Sequence, residues 1–197
     1  DADKGWTFGL RRKMLDAIRE RFDLGFSDTT RPDNDTSLWE HCYAVGCILK
    51  VLMVHRLIYG DALDHFSKVR FGILGIGWDG LAYLSNSQKI GDIAGRKNII
   101  SCIQKMVIRQ IEYEFCLGNH IYIDDNGVFF LIPHLPSKLD IDKTKWDRLG
   151  EYGRLLGIIQ QAVIQKVWKL TGGEVFPKFH LIQDTQHVTH LVKCIGE

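Results

Sequence analysis

The chain has 197 residues, a formal net charge of +1 and an apolar fraction of 45%. This near-neutral balance is typical of a globular protein and neither requires nor excludes nucleic acid as a partner. No apolar run approaches the roughly 20 residues of a membrane span, and no secretory signal is present, so we expect a cytoplasmic protein with no membrane partner. The five scattered cysteines suit reduced cytoplasmic thiols. The chain starts at Asp1 without a methionine, and whether it is a piece of a longer protein stays open.

The first 66 residues are predicted to be helical. Leu10 to Phe22 is amphipathic, and its cationic face could touch phosphate, although nearby acidic residues favour a solvated face. A second helix runs from Ser37 to about Tyr59. On it, His41 is interpreted as a hydrogen-bonded core residue, with metal ligation as the alternative. A His-Asp dipeptide, which metal phosphohydrolases of the His-Asp type need, occurs nowhere in the sequence, so no metal residues are assigned.

The stretch from Phe71 to Pro133 is predicted to fold in the order β, α, β, β. Phe71 to Ile76 is a short apolar run bounded by glycines, as a buried strand would be. Asn98 to Phe115 has the spacing of an amphipathic helix, which Gly118-Asn119 should end. Two β-prone runs then flank Asp125-Asn126-Gly127, the pattern of a hairpin whose tight turn takes positive φ at both central residues.

The segment after Pro133 is predicted to supply the remaining helix and strand of the fold. Trp146 to Leu170 has the spacing of a long helix, and Phe176 to Ile182 can return as a strand. We therefore expect an α+β protein, with a helical region over residues 1–66 and a ferredoxin-like palm (βαββαβ) over residues 67–197. The sheet should be antiparallel, with the helices on one face.

Gly75-Ile-Gly77-Trp-Asp-Gly80 has the form of the dinucleotide-binding fingerprint G-x-G-x-x-G. The fingerprint also needs an acidic residue at the end of a second strand about 20 residues later. Asp92, at that distance, has no β run before it. A tight strand exit packed against a helix is therefore the favoured interpretation.

Three aspartates are the remaining candidates for chemistry: Asp79 and the pair Asp124-Asp125. In a palm polymerase, carboxylates at the end of the first strand and in the hairpin hold two divalent ions that clamp a triphosphate and activate the attacking hydroxyl. The spacing permits these residues to meet. The alternative for Asp125-Asn126-Gly127 is ordinary turn chemistry without an ion.

Four segments carry a resemblance to a known family. They are Asp35-Thr-Ser-Leu-Trp-Glu-His41, Gly75 to Leu81, Lys89-Ile-Gly-Asp-Ile-Ala-Gly-Arg96, and Gly118 to Pro133 with its Asp-Asp-Asn-Gly turn. In this order and spacing the chain resembles the large signature subunit of type III CRISPR effector complexes, most closely its divergent branch. The resemblance covers roughly residues 33–133 well and the remainder loosely.

The resemblance implies a subunit of an RNA-guided antiviral effector complex. Guide RNA and target RNA would be bound through companion subunits. Members of the family join ATP, with Mg or Mn, into cyclic oligoadenylate on paired palms, and some cut single-stranded DNA. This chain would supply the end of the His-Asp region and the first palm, with the second palm coming from the same full-length protein.

The chain also departs from the family. The expected carboxylate position at the strand exit is Gly77, and the Gly-Gly-Asp-Asp motif of the second palm is absent. Catalytic residues are therefore unknown, and whether the chain is an enzyme stays open. The resemblance implies nucleotide contacts at Gly77, Trp78, Asp79, Gly80, Asp124 and Asp125. The alternatives are a catalytically inactive structural or interaction palm module of such a complex and a nucleotide-cofactor-binding enzyme built on Gly75 to Gly80.

Overall fold

The computed structural model describes residues 8–25, 38–59, 70–134 and 146–185. The chain divides into two compact units, Asp1–Leu49 and Lys50–Glu197. The predicted boundary between residues 66 and 67 falls outside the described residues and stays a prediction.

The first unit contains helix α1 (Phe8–Gly25) and the N-terminal half of helix α2 (Leu38–Tyr59). The rings of Phe22 and Trp39 meet edge to face within it, with centroids 6.1 Å apart. His41 is exposed, so its interpretation as a core residue is wrong. Apolar residues occur on nearly every side of α2, and periodicity therefore did not identify the buried face, which carries Cys47 and Val51.

The second unit alternates strands and helices. Its elements are the C-terminal half of α2, β1 (Phe71–Gly77), α3 (Gly80–Ser85), α4 (Ile90–Ile108), a π-helical turn (Arg109–Glu114), β2 (Asn119–Asp124), β3 (Gly127–Pro133), α5 (Trp146–Thr171) and β4 (Lys178–Thr185). The predicted α+β class is confirmed.

The four strands form one antiparallel sheet in the order β2-β3-β1-β4. β1 lies between β3 and β4 and pairs antiparallel with both. Its five middle residues are buried, as the apolar run had indicated.

One face of the sheet and its helices form a single apolar core. Leu74 and Ile76 of β1 stand opposite Phe130 and Val128 of β3 on this face. The core then takes in residues of both long helices, Ile100, Ile103, Val107, Ile159, Val163 and Val167. As predicted, α4 and α5 therefore pack on the same face.

Helix α4 begins at Ile90, eight residues before the predicted start at Asn98. The added turns contain Gly91 and Gly95, and a glycine inside a helix costs about 1 kcal/mol relative to alanine. Arg96 makes tertiary contacts from this part of the helix. Its guanidinium donates to the carbonyl oxygen of Tyr83 at 2.9 Å and pairs with Glu174 at 3.1 Å.

A buried polar cluster lies where the π-helical turn leads into β2. The Lys50 ammonium donates to the carbonyl oxygens of Glu112 (2.8 Å) and Gly118 (3.0 Å) and to Asn119 Oδ1 (2.9 Å). The buried Glu112 carboxylate accepts the backbone N–H of His120 at 2.8 Å and also contacts His120 Nδ1. Within the second unit, Lys50 therefore ties the C-terminal half of α2 to the π-helical turn and to β2.

Candidate functional site

The strand exit after β1 and the β2–β3 hairpin, two segments singled out from the sequence, are in direct contact. The indole N–H of Trp78 donates to the carbonyl oxygen of Asp125 at 2.8 Å, and its backbone N–H donates to that of Asn126 at 2.7 Å. The Asn126 side chain accepts the backbone N–H of Leu81 at 3.2 Å. The two segments therefore meet, as the spacing of the aspartates permits, and they do so through Trp78, Asn126 and the backbone of Asp125. We call the six predicted residues, Gly77 to Gly80 with Asp124 and Asp125, the candidate site.

Close backbone approach explains two of the glycines. A Cβ on Gly80 would collide with the carbonyl group of Asp125. On Gly127, a Cβ would lie 2.9 Å from the carbonyl oxygen of Ile76. Only glycine lets the main chains of the strand exit and the hairpin come this close.

The geometry of the hairpin turn differs from the prediction. Among the described residues, positive φ belongs to Cys116, Gly172 and Gly173, so neither Asn126 nor Gly127 has it. The expected turn with positive φ at both central residues is therefore wrong. The Asp124 side chain closes the turn instead, since its Oδ1 accepts the backbone N–H groups of Asn126 and Gly127, each at 2.8 Å.

Asp79 likewise serves the backbone. Its Oδ1 accepts the N–H of Ala82 at 2.9 Å and so caps the N-terminus of α3. A cap of this kind satisfies a donor that the helix itself leaves unpaired. The carboxylates of Asp79 and Asp124 are thus each engaged by main-chain donors.

Tyr122 adds a further contact to the Asp124 carboxylate. Its hydroxyl donates to Asp124 Oδ2 at 3.2 Å, while Gln104 of α4 donates to the Asp124 carbonyl oxygen at 2.7 Å. The hydrogen bond to Asp124, with the negative charge of that group, raises the pKa of Tyr122, because both disfavour a phenolate beside a carboxylate. Asp125 offers its carbonyl oxygen to Trp78, and within the described part of the chain its carboxylate has no hydrogen-bond partner.

An aromatic and charged cluster supports α3 behind the strand exit. The Arg96 guanidinium lies 4.4 Å from the centre of the Tyr83 ring, in addition to its bond with Glu174. Burial raises the pKa of Tyr83; the positive charge of Arg96 opposes this change and Glu174 adds to it. Arg96 therefore joins α3, α4 and the segment before β4.

The side chains of the candidate site do not form a metal-binding site by themselves. Gly77 contributes no side chain, and Asp79 Oδ1 and both carboxylate oxygens of Asp124 already accept N–H or O–H groups. In the described ranges, no group of three His, Cys, Asp or Glu side chains is placed to hold a metal ion. Nucleotide contact by these residues stays a prediction.

Three residues important to this arrangement were not singled out from the sequence for their roles: Asn126, Gly127 and Arg96. Asn126 and Gly127 were interpreted as a left-handed turn, whereas their roles are a contact with α3 and close approach to β1. Arg96 acts across 78 residues of sequence on Glu174, and local spacing carries no signal for such a pair.

Comparison of the chain with models of known protein families and with curated proteins gave no match. Within the described ranges, no helix combines the length and apolar character needed to cross a membrane.

Proposed function

We propose that this chain is the first palm domain of the large subunit of a type III CRISPR effector complex. It would act in the cytoplasm in antiviral defence, with guide RNA and target RNA bound through companion subunits. The order and spacing of the four motif segments in the sequence motivate the proposal.

The sheet supports the palm part of the proposal. A strand order of β2-β3-β1-β4 with antiparallel neighbours, and helices following the first and third strands, is what a ferredoxin-like palm requires. A dinucleotide-binding enzyme built on Gly75 to Gly80 fits less well, because its fingerprint belongs to parallel βαβ units and β1 is antiparallel to both of its neighbours.

The single observation that carries the proposal is the contact between strand exit and hairpin. A palm brings these two segments together at one end of the sheet. Here Trp78 and Gly80 hold them in contact. The candidate site would then face a nucleotide that is also held by a second palm of the same full-length protein.

The carboxylates suggest which role each of the two palms would have. Since Asp79 and Asp124 serve the backbone, this palm is proposed to position ATP, while the second palm holds Mg or Mn and supplies the metal chemistry. The isolated chain would then bind ATP weakly at most and make no oligoadenylate.

A second candidate is an inactive structural palm in the same complex. It is favoured by the same engagement of Asp79 and Asp124, which explains both aspartates without any nucleotide. The two candidates differ in one measurable property, the contribution of this palm to ATP binding by the full-length protein.

The first experiment tests membership of an RNA-guided complex. The full-length protein is purified from its native host under mild conditions, its bound RNA is sequenced, and companion proteins are identified by mass spectrometry. We expect RNAs that each carry a different spacer joined to one shared repeat-derived end. Protein that elutes without RNA, or with RNA lacking spacers, would refute the proposal.

The second experiment tests the chemistry. The isolated chain, and separately the full-length protein assembled with guide and target RNA, are incubated with labelled ATP and Mg or Mn. We expect oligoadenylate from the assembly alone. Oligoadenylate from the isolated chain, lost on changing Asp124 and Asp125 to Asn, would show that this palm is catalytic by itself.

A further inference from the structure

Among the described residues, the outer edge of β4 has no strand paired with it. β4 is the last strand of the four-stranded sheet and pairs with β1 on its other side. An open strand edge presents a row of unpaired N–H and C=O groups, and the partner that satisfies such a row is another extended strand.

The two edges of the sheet differ in how they are protected. On the β2 edge the register shifts between His120 and Tyr122, and such an irregularity disrupts further pairing. β4 carries a register shift as well, but it lies between Ile182 and Thr185 near the end of the strand, so the five residues from Lys178 to Ile182 keep a regular register with β1. Proline is absent from this five-residue stretch.

The apolar core reaches the β4 edge and is left incomplete there. Phe179 and Leu181 stand opposite Ile76 and Leu74, so both lie on the face that carries α4 and α5. Phe179 packs against the core, whereas Leu181 is 39% exposed. A strand added beside β4 with apolar residues on this face would continue the core.

A second copy of β4 has apolar residues at the positions that such an added strand needs. In an antiparallel pair of two β4 strands centred on His180, each Phe179 stands across from Leu181 of the other copy. Both cross-strand pairs are then apolar and fall on the helix-bearing face. Directly opposed side chains in such a pair lie about 4.5–5.5 Å apart at Cβ, close enough to pack.

We propose that the chain forms a two-fold symmetric dimer in which β4 pairs antiparallel with β4 of a second copy, centred on His180, to give a continuous eight-stranded sheet. The two copies present the same patch to each other, as two-fold symmetry requires. The inference is independent of the function proposed above, because it uses only the strand edge and its side chains.

The test uses the full 197-residue chain in analytical ultracentrifugation. The range of concentration should span about a hundredfold, because mass action makes the dimer fraction depend on concentration. Leu181→Lys places a charge next to the two-fold axis, opposite Phe179 of the other copy, and we expect it to raise the dimer dissociation constant by about tenfold or more. Ile123→Lys is the matched control, since Ile123 is 41% exposed on the opposite edge, and it should leave the constant unchanged.

A second measurement tests the register and does not depend on how well a charged variant folds. His180→Cys places two thiols opposite each other at the two-fold axis, so mild oxidation should give a 180–180 disulfide, identified by mass spectrometry. Ile123→Cys should give none between copies. A chain that is monomeric over the whole range, a dimer that both lysine variants weaken equally, or a dimer without the 180–180 link would each overturn the proposal. A monomer that instead binds an extended segment of another protein would overturn it too.

Discussion

Lys50 offers the sharpest test of how the C-terminal half of α2 is joined to the π-helical turn and to β2. The substitution Lys50→Met keeps most of the apolar stem and removes the ammonium, which donates to three acceptors at 2.8 to 3.0 Å. Each hydrogen bond to a charged group is worth about 1.5–3 kcal/mol. Because the group is half-buried and the three bonds share one donor, we expect a loss of about 3 kcal/mol for the set rather than the full sum.

Thermal and urea unfolding measure this loss. For a chain of this size, 1 kcal/mol corresponds to about 2–4 °C in Tm, so the expected decrease is about 6–12 °C. Lys89→Met is the matched control, since the Lys89 side chain makes no cap hydrogen bond and is exposed; it should stay within about 0.5 kcal/mol of the parent.

A double-mutant cycle separates Lys50 from general effects of losing a charge. Asn119→Ala alone removes one of the three acceptors, and the double variant should lose less than the two single variants added together. A decrease for Lys50→Met no larger than that for Lys89→Met, or full additivity with Asn119→Ala, would refute the reasoning.

Three further predictions concern the hairpin, the domain boundary and a tyrosine. Gly80→Ala should destabilise the fold by about 1–3 kcal/mol in urea unfolding, because the new Cβ would collide with the backbone of Asp125. Gly91→Ala lies in open space inside α4 and should stabilise the fold by about 0.5–1 kcal/mol. Equal effects of the two substitutions would contradict this reasoning. A chain that begins at residue 67 should have a lower Tm than one that begins at residue 38, since it lacks the contacts that Lys50 of α2 makes. Equal Tm values would argue that these contacts do not stabilise the fold. Ultraviolet titration should find Tyr122 ionising above its ordinary pKa, and Asp124→Asn should return it to the ordinary value. Because the pKa is raised on folding, the stabilisation is present below the ordinary tyrosine pKa and is lost as pH rises through the folded-state value, and an unchanged Tyr122 titration in the Asn variant would contradict the assignment.

The parts of the fold that sequence anticipated are those encoded by local patterns. The apolar run of β1, the position of the hairpin and the helix beginning at Trp146 all follow from periodicity and turn residues. The ends of β1, β2 and β3 shifted by at most two residues, because pairing with a neighbouring strand extends a strand beyond its strongest pattern. β2, for instance, begins at Asn119 and not at Ile121.

Features set by distant contacts were not anticipated. Arg96, near the start of α4, contacts Tyr83 and Glu174, and Lys50 in the C-terminal half of α2 reaches residues 62 to 69 positions away. No spacing rule applies to either set of contacts.

The candidate site was anticipated as a meeting of two segments but not in the use of its aspartates. Spacing indicated that the strand exit and hairpin could meet, and the contact of Trp78 with Asp125 confirms that they do. Sequence alone did not distinguish a carboxylate that binds an ion from one that accepts backbone N–H groups. Both uses favour aspartate at a strand end or turn.

The π-helical turn has a consequence for how the length of this region can change. In a π-helix the hydrogen bond spans one residue more than in an α-helix, as from Phe115 N–H to the Gln110 carbonyl oxygen at 2.8 Å. Deleting one residue from Arg109–Glu114 would let an ordinary α-helix form through the segment. Because the wide turn takes up one extra residue, the residues beyond the deletion would keep nearly their present orientation relative to α4. A deletion here therefore costs a side-chain position inside the turn, such as the one from which Glu112 meets His120, and not the direction of the chain that follows.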